Sequence, residues 1–126
     1  MPFVQISLTK NHTEQVKKDI SHSIHESLID AFKIPVDDYF QVIHEIQPGN
    51  LLFAESYMGI PHSDNLVYIQ IIARSGRTVE QKKELYQSIA KKIAERTPIS
   101  IDDIIIILVG NDLPDWSFGR GVAQYV

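Results

Sequence analysis

The sequence predicts an α+β fold of two layers, in which a tandem β-α-β repeat forms a four-stranded sheet with two helices on one face. Two observations lead to this prediction. The first is an internal repeat at an offset of 65 residues, which aligns Phe3-Val4-Gln5-Ile6 with Tyr68-Ile69-Gln70-Ile71. The second is the hydrophobic periodicity of each copy, which changes from strand to helix and back to strand. Two copies are too few for a solenoid, so they indicate one small unit that was duplicated and fused.

The first copy covers residues 2–46 and opens with a predicted strand over Phe3–Leu8, where apolar and polar side chains alternate. Thr13 then fits a helix N-cap. Along this helix an apolar residue recurs at every fourth position, at Val16, Ile20, Ile24 and Leu28. The helix is expected to close before Pro35, because the residue before a proline avoids helical dihedral angles. Phe40–Ile46 is the second predicted strand.

The second copy covers residues 66–110 and repeats this order. Its first strand is predicted over Leu66–Ala73. Thr78 and Gln81 form a Thr-x-x-Gln capping box, which marks the start of the second helix. The apolar stripe of that helix consists of Leu85, Ile89 and Ile93. Ile104–Val109 is a wholly apolar strand, and a strand that is apolar on both faces is expected in the middle of a sheet.

The chain is interpreted as a single domain over residues 1–126, with a connecting loop at Gln47–Asn65 and a C-terminal tail. The loop is rich in turn residues, and a short strand is expected around Leu51–Glu55. Right-handed crossovers make the strands of each copy parallel and place both helices on one face of the sheet. The other face then carries apolar side chains such as Phe3 and Tyr68. A bare apolar face predicts homo-oligomerisation with closed symmetry.

Composition excludes several classes of function. The formal net charge of −4 argues against nucleic-acid binding, which usually shows a basic patch. The chain has no cysteine, hence no disulfide framework and no thiolate metal site. It shows no signal peptide and no apolar run long enough to span a bilayer, so a cytoplasmic location is expected. His22 and His25 lie three residues apart on a helix, but no third ligand is evident, and no metal is predicted.

Pro2 is the most informative candidate residue. If Met1 is removed, Pro2 supplies a secondary amine at the chain terminus, where the reference pKa is about 7.7–8.0. Burial or a nearby cation would lower that pKa, and a nitrogen that titrates near neutrality can act as general acid or base. The alternative is a Met-Pro start without a role. In the second copy the position of Pro2 is taken by Val67, in mid-chain, so only one terminal amine is present.

Arg74 and Arg77 flank a turn between a strand end and a helix start, where they form a candidate carboxylate clamp. A solvated turn is the alternative. The first copy carries Thr9 and His12 at these positions, so the arginines are specific to the second copy. Asp38 could position a water or polarise a substrate. Asp103 repeats it, however, and an acidic turn would explain both aspartates.

The tail after the last strand contains the motif Asp115-Trp116-Ser117-Phe118-Gly119-Arg120-Gly121, which includes the only tryptophan. Such a segment can form the wall of a pocket or pack against a neighbouring subunit. Simple packing is the alternative.

At this point the chain resembles a known group. The Met-Pro start, the doubled β-α-β unit and the Arg74-Ser75-Gly76-Arg77-Thr78 turn are similar to the tautomerase superfamily. Pro35-Val36-Asp37-Asp38, Arg74 and the tail motif resemble its malonate semialdehyde decarboxylase branch. The resemblance covers nearly the whole chain.

The resemblance implies a homotrimer that uses no metal and no organic cofactor, with Pro2 as the catalytic acid or base. It also implies that Asp38 assists at the carbonyl or the water and that Arg74 and Arg77 bind the carboxylate of the substrate. The apolar wall of the pocket would consist of Trp116, Phe118 and Tyr125.

The expected reaction is keto–enol tautomerisation of a small oxo-carboxylic acid. Two residues separate Arg74 from Arg77, as in other branches of the superfamily, whereas the decarboxylase branch has one residue between its arginines. Decarboxylation of a β-oxo acid is therefore the first alternative. A trimeric binding protein without turnover is the second.

Overall fold

A computed structural model describes all 126 residues of the chain. Six strands and two helices follow one another along the sequence, and the fold is built from them: β1 (Phe3–Thr9), α1 (Glu14–Phe32), β2 (Gln41–Ile46), β3 (Ser56–Tyr57), β4 (Ile60–Pro61), β5 (Val67–Arg74), α2 (Val79–Arg96) and β6 (Ile104–Asn111). Neither helix is apolar enough over its length to cross a membrane.

The main sheet has four strands in the order β2-β1-β5-β6. β1 and β2 are parallel, β5 and β6 are parallel, and β1 and β5 are antiparallel. The predicted fold class is confirmed. Gln5 lies opposite Gln70 at the centre of the antiparallel pair, and its side-chain amide donates to Oε1 of Gln70 at 3.3 Å. Because the sequence repeat aligns these two residues, an approximate two-fold axis passes between them, and the start of β1 lies beside the end of β5.

Both helices begin at the predicted caps. Thr13 Oγ1 accepts a hydrogen bond from Val16 N at 3.2 Å, and the capping box between Thr78 and Gln81 is complete. α1 ends at Phe32, where Lys33 adopts a left-handed conformation with φ of 58°. The two helices lie side by side on one face of the sheet, and the hydroxyls of Ser27 and Ser88 are 2.8 Å apart between them.

The core lies between this helix pair and the sheet. Alternate residues of β1 and β5 point into it and are fully or almost fully buried, while the residues between them are only half-buried. The predicted helical stripes supply the other side of the core. Its largest completely buried side chains include Ile6, Leu8, Ile20, Ile24, Ile69, Ile71, Leu85, Ile89 and Ile93.

The prediction that Ile104–Val109 runs through the middle of the sheet is wrong for the single chain, because β6 is an edge strand. Each crossover places its second strand on the outer side of its first, and the antiparallel contact between β1 and β5 takes the centre. β2 and β6 are therefore both edges. On the face of β6 turned away from the helices, Ile107 and Val109 are 46% and 39% exposed.

The short strand expected around Leu51–Glu55 is also wrong. Regular structure in the connecting loop comes a few residues later, as a small hairpin in which β3 pairs with β4. Met58 and Gly59 form its two-residue turn, with φ of 51° and 78°. Two consecutive positive φ values fit the right-handed twist of a tight hairpin, and the glycine adopts its angle without steric cost.

Candidate active site

The amino terminus lies at one end of the sheet, beside the last residues of β5. Phe3 pairs with Ile72, so Met1 and Pro2 extend toward Arg74. Pro2 is buried, and Met1 is only partly exposed. With Met1 in place the free amine belongs to Met1, and its nitrogen lies 3.9 Å from Oδ2 of Asp38. Removal of Met1 would leave the secondary amine of Pro2 as the terminal group at this end of the sheet.

Asp38 belongs to the segment between α1 and β2, and its side chain is only 3% exposed. Its Oδ1 has no hydrogen-bond partner. Burial raises the pKa of Asp38 above its ordinary value, and the terminal amine, His25 and Arg77 lower the pKa again by their positive charge. A buried carboxylate without a full set of donors is costly to the fold, which favours a role at a site.

Asp103, which the repeat aligns with Asp38, is equally buried but has a different environment. Ser63 N donates to its Oδ1 at 2.7 Å, and the Ser63 hydroxyl donates to its Oδ2 at 2.5 Å. Asp103 therefore fixes the segment that leads into β5. At the aligned end of the first copy the Met1 amine lies beside Asp38 in place of such a donor. Both aspartates close the same backbone turn, because Asp38 N donates to the Pro35 carbonyl at 3.1 Å and Asp103 N to the Ser100 carbonyl at 3.0 Å. The turn does not explain why Asp38 Oδ1 is left without a partner.

Arg74 and Arg77 lie together at the turn between β5 and α2. Arg77 Nη1 donates to the carbonyl oxygen of Arg74 at 2.7 Å, and the Arg77 guanidinium stacks over the ring of Phe32 with Cζ 4.8 Å from the ring centroid. A small cavity of about 80 Å³ opens at this turn, lined in part by both arginines and Lys82. These cations lie at the start of a helix, where the helix dipole adds to their attraction for an anion.

The charges of the site act on one another. Burial lowers the pKa of the terminal amine, Asp38 raises it, and Arg77 and Arg74 lower it, with a net effect below the ordinary value. Burial likewise lowers the pKa of the Arg77 guanidinium, as does its neighbour Arg74, against the opposing effect of Asp38. The amine, the buried carboxylate and the two arginines therefore form one electrostatic unit.

Aromatic side chains form a cluster beside this unit. Trp116 and Phe118 are stacked, with ring centroids 5.4 Å apart and an angle of 7° between the rings. Tyr125 meets Phe118 edge-on at 5.5 Å, and Phe40 lies 6.0 Å from Phe118. The structure thus brings the three predicted aromatic residues together and adds Phe40, which the sequence analysis missed.

Backbone and side-chain bonds connect the cluster to the site at two points. Val4 N donates to the carbonyl of Phe40 at 3.0 Å, close to the amino terminus. Trp116 Nε1 donates to Oδ1 of Asn111 at 2.8 Å, and Asn111 is paired with Arg74 across β5 and β6. In the sequence, the only indication that Phe40 lies near the site is that it follows Asp38 by two residues.

The two helical histidines are not brought into a common site. His25 Nε2 lies 2.7 Å from the carbonyl oxygen of Val36, and its ring packs against Tyr39 at 4.8 Å. His22 is exposed on α1. Nowhere in the chain do three or more His, Cys, Asp or Glu residues converge as a metal-binding group.

Comparison with known proteins shows to which family the chain belongs. Two family models, each described as "Tautomerase enzyme", match residues 38–119 and residues 2–59. The chain is 40% identical over 126 residues to "Probable tautomerase YusQ" of Bacillus subtilis (strain 168), covering 100% of this chain and 99% of the relative. It is 29% identical to "Probable tautomerase YrdN" of the same organism, covering 97% of that protein. The chain belongs to the tautomerase family of enzymes, as the sequence resemblance predicted.

Solved structures extend the comparison to the decarboxylase branch. A malonate semialdehyde decarboxylase, solved in wild-type, mutant and inactivated forms, is 31% identical with a TM-score of 0.90, covering 98% of this chain and 95% of that one. The FG41 malonate semialdehyde decarboxylase inhibited by 3-bromopropiolate is 28% identical with a TM-score of 0.91, covering 98% of this chain and 93% of that one. A symmetric trimer of fused 4-OT shares the fold at 15% identity and a TM-score of 0.80.

Proposed function

We propose that this enzyme, after removal of Met1, uses the Pro2 nitrogen as general acid and base in the keto–enol tautomerisation of a small oxo-carboxylic acid. One observation carries the proposal: the Met1 amine, one residue before Pro2, lies 3.9 Å from buried Asp38 at the sheet end that also holds two arginines. The names of the relatives point to the same reaction class.

The proposed reaction needs three groups in fixed places. Arg74 and Arg77 bind the substrate carboxylate, because guanidinium groups pair with carboxylates through two hydrogen bonds. Neutral Pro2 then removes a proton from the carbon next to the carbonyl. The C–H electron pair forms the C=C bond of the enolate, and the carbonyl oxygen takes up a proton to give the enol. The reverse direction returns a proton to the carbon.

The charges around the amine favour its neutral form, which is the form that acts as general base in tautomerisation. At the Met1 amine, burial and the two arginines lower the pKa by more than Asp38 raises it, and we expect the same groups to act on the Pro2 amine once Met1 is removed. A lowered pKa increases the neutral fraction near pH 7, and a general base must be neutral before it can accept a proton. The aromatic cluster, with Trp116, Phe118 and Tyr125, supplies an apolar wall for the rest of the substrate.

Decarboxylation of a β-oxo acid is the second candidate, and the 31% identity to a malonate semialdehyde decarboxylase favours it. In this reaction cationic Pro2 polarises the carbonyl while the bond to the carboxyl carbon breaks. Carbon dioxide leaves, its former bonding pair becomes the enolate, and a proton then replaces the lost carboxyl group. Asp38 supports this alternative, because its charge stabilises the cationic amine.

The apolar surface supports a homotrimer as the working form. The helix-free face of the sheet includes half-buried Phe3 and Tyr68 and continues to the exposed side chains of β6. An apolar groove of about 470 Å³ adjoins it, between the β3–β4 hairpin and the start of β6. Three copies around one axis would cover these surfaces with closed symmetry.

The decisive experiment compares three forms of the protein in an enol assay with phenylpyruvate. Intact mass first establishes whether Met1 is absent. We expect Pro2→Ala to lower turnover by about 10²-fold or more, the usual scale for loss of an acid–base group. The same chain with Met1 retained should be equally impaired, because its Pro2 nitrogen is an amide. Full activity in either form refutes the mechanism, and no turnover by the processed wild type favours the binding protein.

A further inference from the structure

The turn at residues 74–77, which carries Arg74 and Arg77, is bonded to the end of β6. Arg74 is paired with Asn111, and Ser75 N donates to the Asn111 carbonyl at 2.7 Å. At the preceding residue of β6, a Cβ added to Gly110 would lie only 2.7 Å from the Ser75 hydroxyl oxygen. The turn is therefore hydrogen-bonded to this strand end, and Ser75 packs closely against Gly110.

The side chain of Asn111 extends this contact to the aromatic cluster. Its Oδ1 accepts the indole N–H of Trp116 at 2.8 Å, in a partly buried environment. An indole N–H that is withdrawn from water needs an acceptor, and a single amide oxygen supplies it here. Trp116 in turn stacks on Phe118. One residue thus contacts both the turn that carries the arginines and the first ring of the aromatic wall.

Comparison of the two copies shows which of the Asn111 hydrogen bonds is common to both. The aligned residue in the first copy is Ile46, whose carbonyl accepts from Lys10 N at 3.1 Å. The backbone bond is therefore common to both copies. The amide side chain occurs only in the copy that has the arginines and the tail. The first copy also demonstrates that isoleucine is compatible with this position of the strand.

We propose that Asn111 is a positioning residue that holds Trp116 in register with Arg74 and Arg77, so that the aromatic wall and the carboxylate site bind one substrate together. This inference rests on the proposed function for its kinetic consequence. Its structural consequence, the fixed orientation of Trp116, is independent of any reaction.

The test substitutes the residue of the first copy, Asn111→Ile, which removes the side-chain acceptor and keeps the backbone bond. For the enol of phenylpyruvate we expect KM to rise roughly five- to tenfold, the effect of one lost hydrogen bond, with kcat changed less than about twofold. Trp116 is the only tryptophan, so the fluorescence of the protein reports on the environment of this one side chain. Its emission should shift, and its quenching by acrylamide should increase, because the indole is no longer held against β6. Asn50→Ile, at an exposed site of the connecting loop, is the matched control.

A double-mutant cycle with Trp116→Phe identifies the path of the effect. Phenylalanine keeps an aromatic ring and removes the N–H donor, so Asn111→Ile should have almost no further effect on KM in this background. Independent effects of the two substitutions, or unchanged fluorescence in Asn111→Ile, would overturn the inference. A wild type without turnover would contradict the proposed function alone, because the fluorescence comparison still tests the position of Trp116.

Discussion

Replacement of Asp38 by asparagine distinguishes the two candidate reactions, because Asp38 acts on the amine through its charge. The Met1 nitrogen lies 3.9 Å from Asp38 Oδ2, and we take a similar separation for the Pro2 amine after Met1 is removed. At this separation two unit charges attract by about 4 kcal/mol at an effective dielectric constant of about 20, and by about 1 kcal/mol in bulk water. Met1 is partly exposed, so solvent reaches this end of the sheet and screens the attraction, and the lower part of this range applies. About 1–2 kcal/mol corresponds to a roughly 5- to 30-fold loss of proton affinity.

The sign of the effect follows from the charge. Without Asp38 the pKa of the Pro2 amine falls, so the acid limb of the kcat/KM profile for enol turnover moves to lower pH. If neutral Pro2 is the base, activity near pH 7 should change by less than about tenfold, since a weaker base is still fully neutral there. If the enzyme is a decarboxylase, release of carbon dioxide from a β-oxo acid should fall by about 10²-fold or more, because the cationic fraction of Pro2 falls by up to about 30-fold and Asp38 no longer assists at the carbonyl or the water.

The assay measures both reactions over pH in wild type and Asp38→Asn, with Asp103→Asn as the matched control. Asp103 is equally buried, but it bonds Ser63 and lies at the opposite end of the sheet from the amine. Its substitution should lower stability and leave both pH profiles in place. A profile that does not move in Asp38→Asn would refute the electrostatic reasoning. Loss of carbon dioxide release with Asp38 would overturn the preference for tautomerisation.

Asp38→Asn and Asp103→Asn should change the stability of the fold in opposite directions. Burial raises the pKa of Asp38, so the folded chain holds this proton more tightly than the unfolded chain. Stability is then greatest below both pKa values, declines as pH rises between them, and has lost this contribution at neutral pH. Asp38→Asn should therefore raise Tm by a few degrees at pH 7, whereas Asp103→Asn should lower it. An equal loss of Tm in both would make Asp38 a structural residue.

Two further predictions concern the carboxylate site and the assembly. Arg77→Ala should raise KM by about 10- to 100-fold, the effect of a lost charge-assisted hydrogen bond, with little change in Tm; an equal loss of stability and activity would indicate a structural turn instead. Sedimentation at micromolar concentration should show three chains per particle, and Val109→Glu on the exposed face of β6 should dissociate them; a stable wild-type monomer would contradict the trimer.

The secondary structure could be predicted because local signals agree with it. Three signals depend only on residues close in sequence: the alternation in the strands, the apolar residue at every fourth position of each helix, and the caps at Thr13 and Thr78. Each lies where it was expected. The position of β6 could not be read from its composition. A strand that is apolar on both faces has the same composition at the centre and at the edge of a sheet, and only the strand order distinguishes the two positions.

The candidate site was predictable only where a residue type carries its own chemistry. Pro2, the two arginines and the tail aromatics have that property. Asn111 and Phe40 do not, because their contacts depend on which elements the fold brings together. The repeat does single out Asn111, because the aligned residue in the first copy is the apolar Ile46 and a polar side chain at this position is specific to the second copy. For Asp38 the repeat was misleading, because Asp103 shares its position and burial but not its side-chain hydrogen bonds.

The two copies share what builds the sheet and differ in what forms the site. The approximate two-fold axis would allow two equivalent sites, one at each end of the antiparallel pair. At the second end the chain continues through Val67, so the nitrogen that corresponds to Pro2 is a peptide amide without basicity. Ser63 neutralises no charge there but occupies both oxygens of Asp103 with hydrogen bonds. One end of the antiparallel pair therefore holds an amine, whereas the other end is bonded into the fold. If Arg74 and Arg77 bind a carboxylate as proposed, Thr9 and His12 at the second end need not do so.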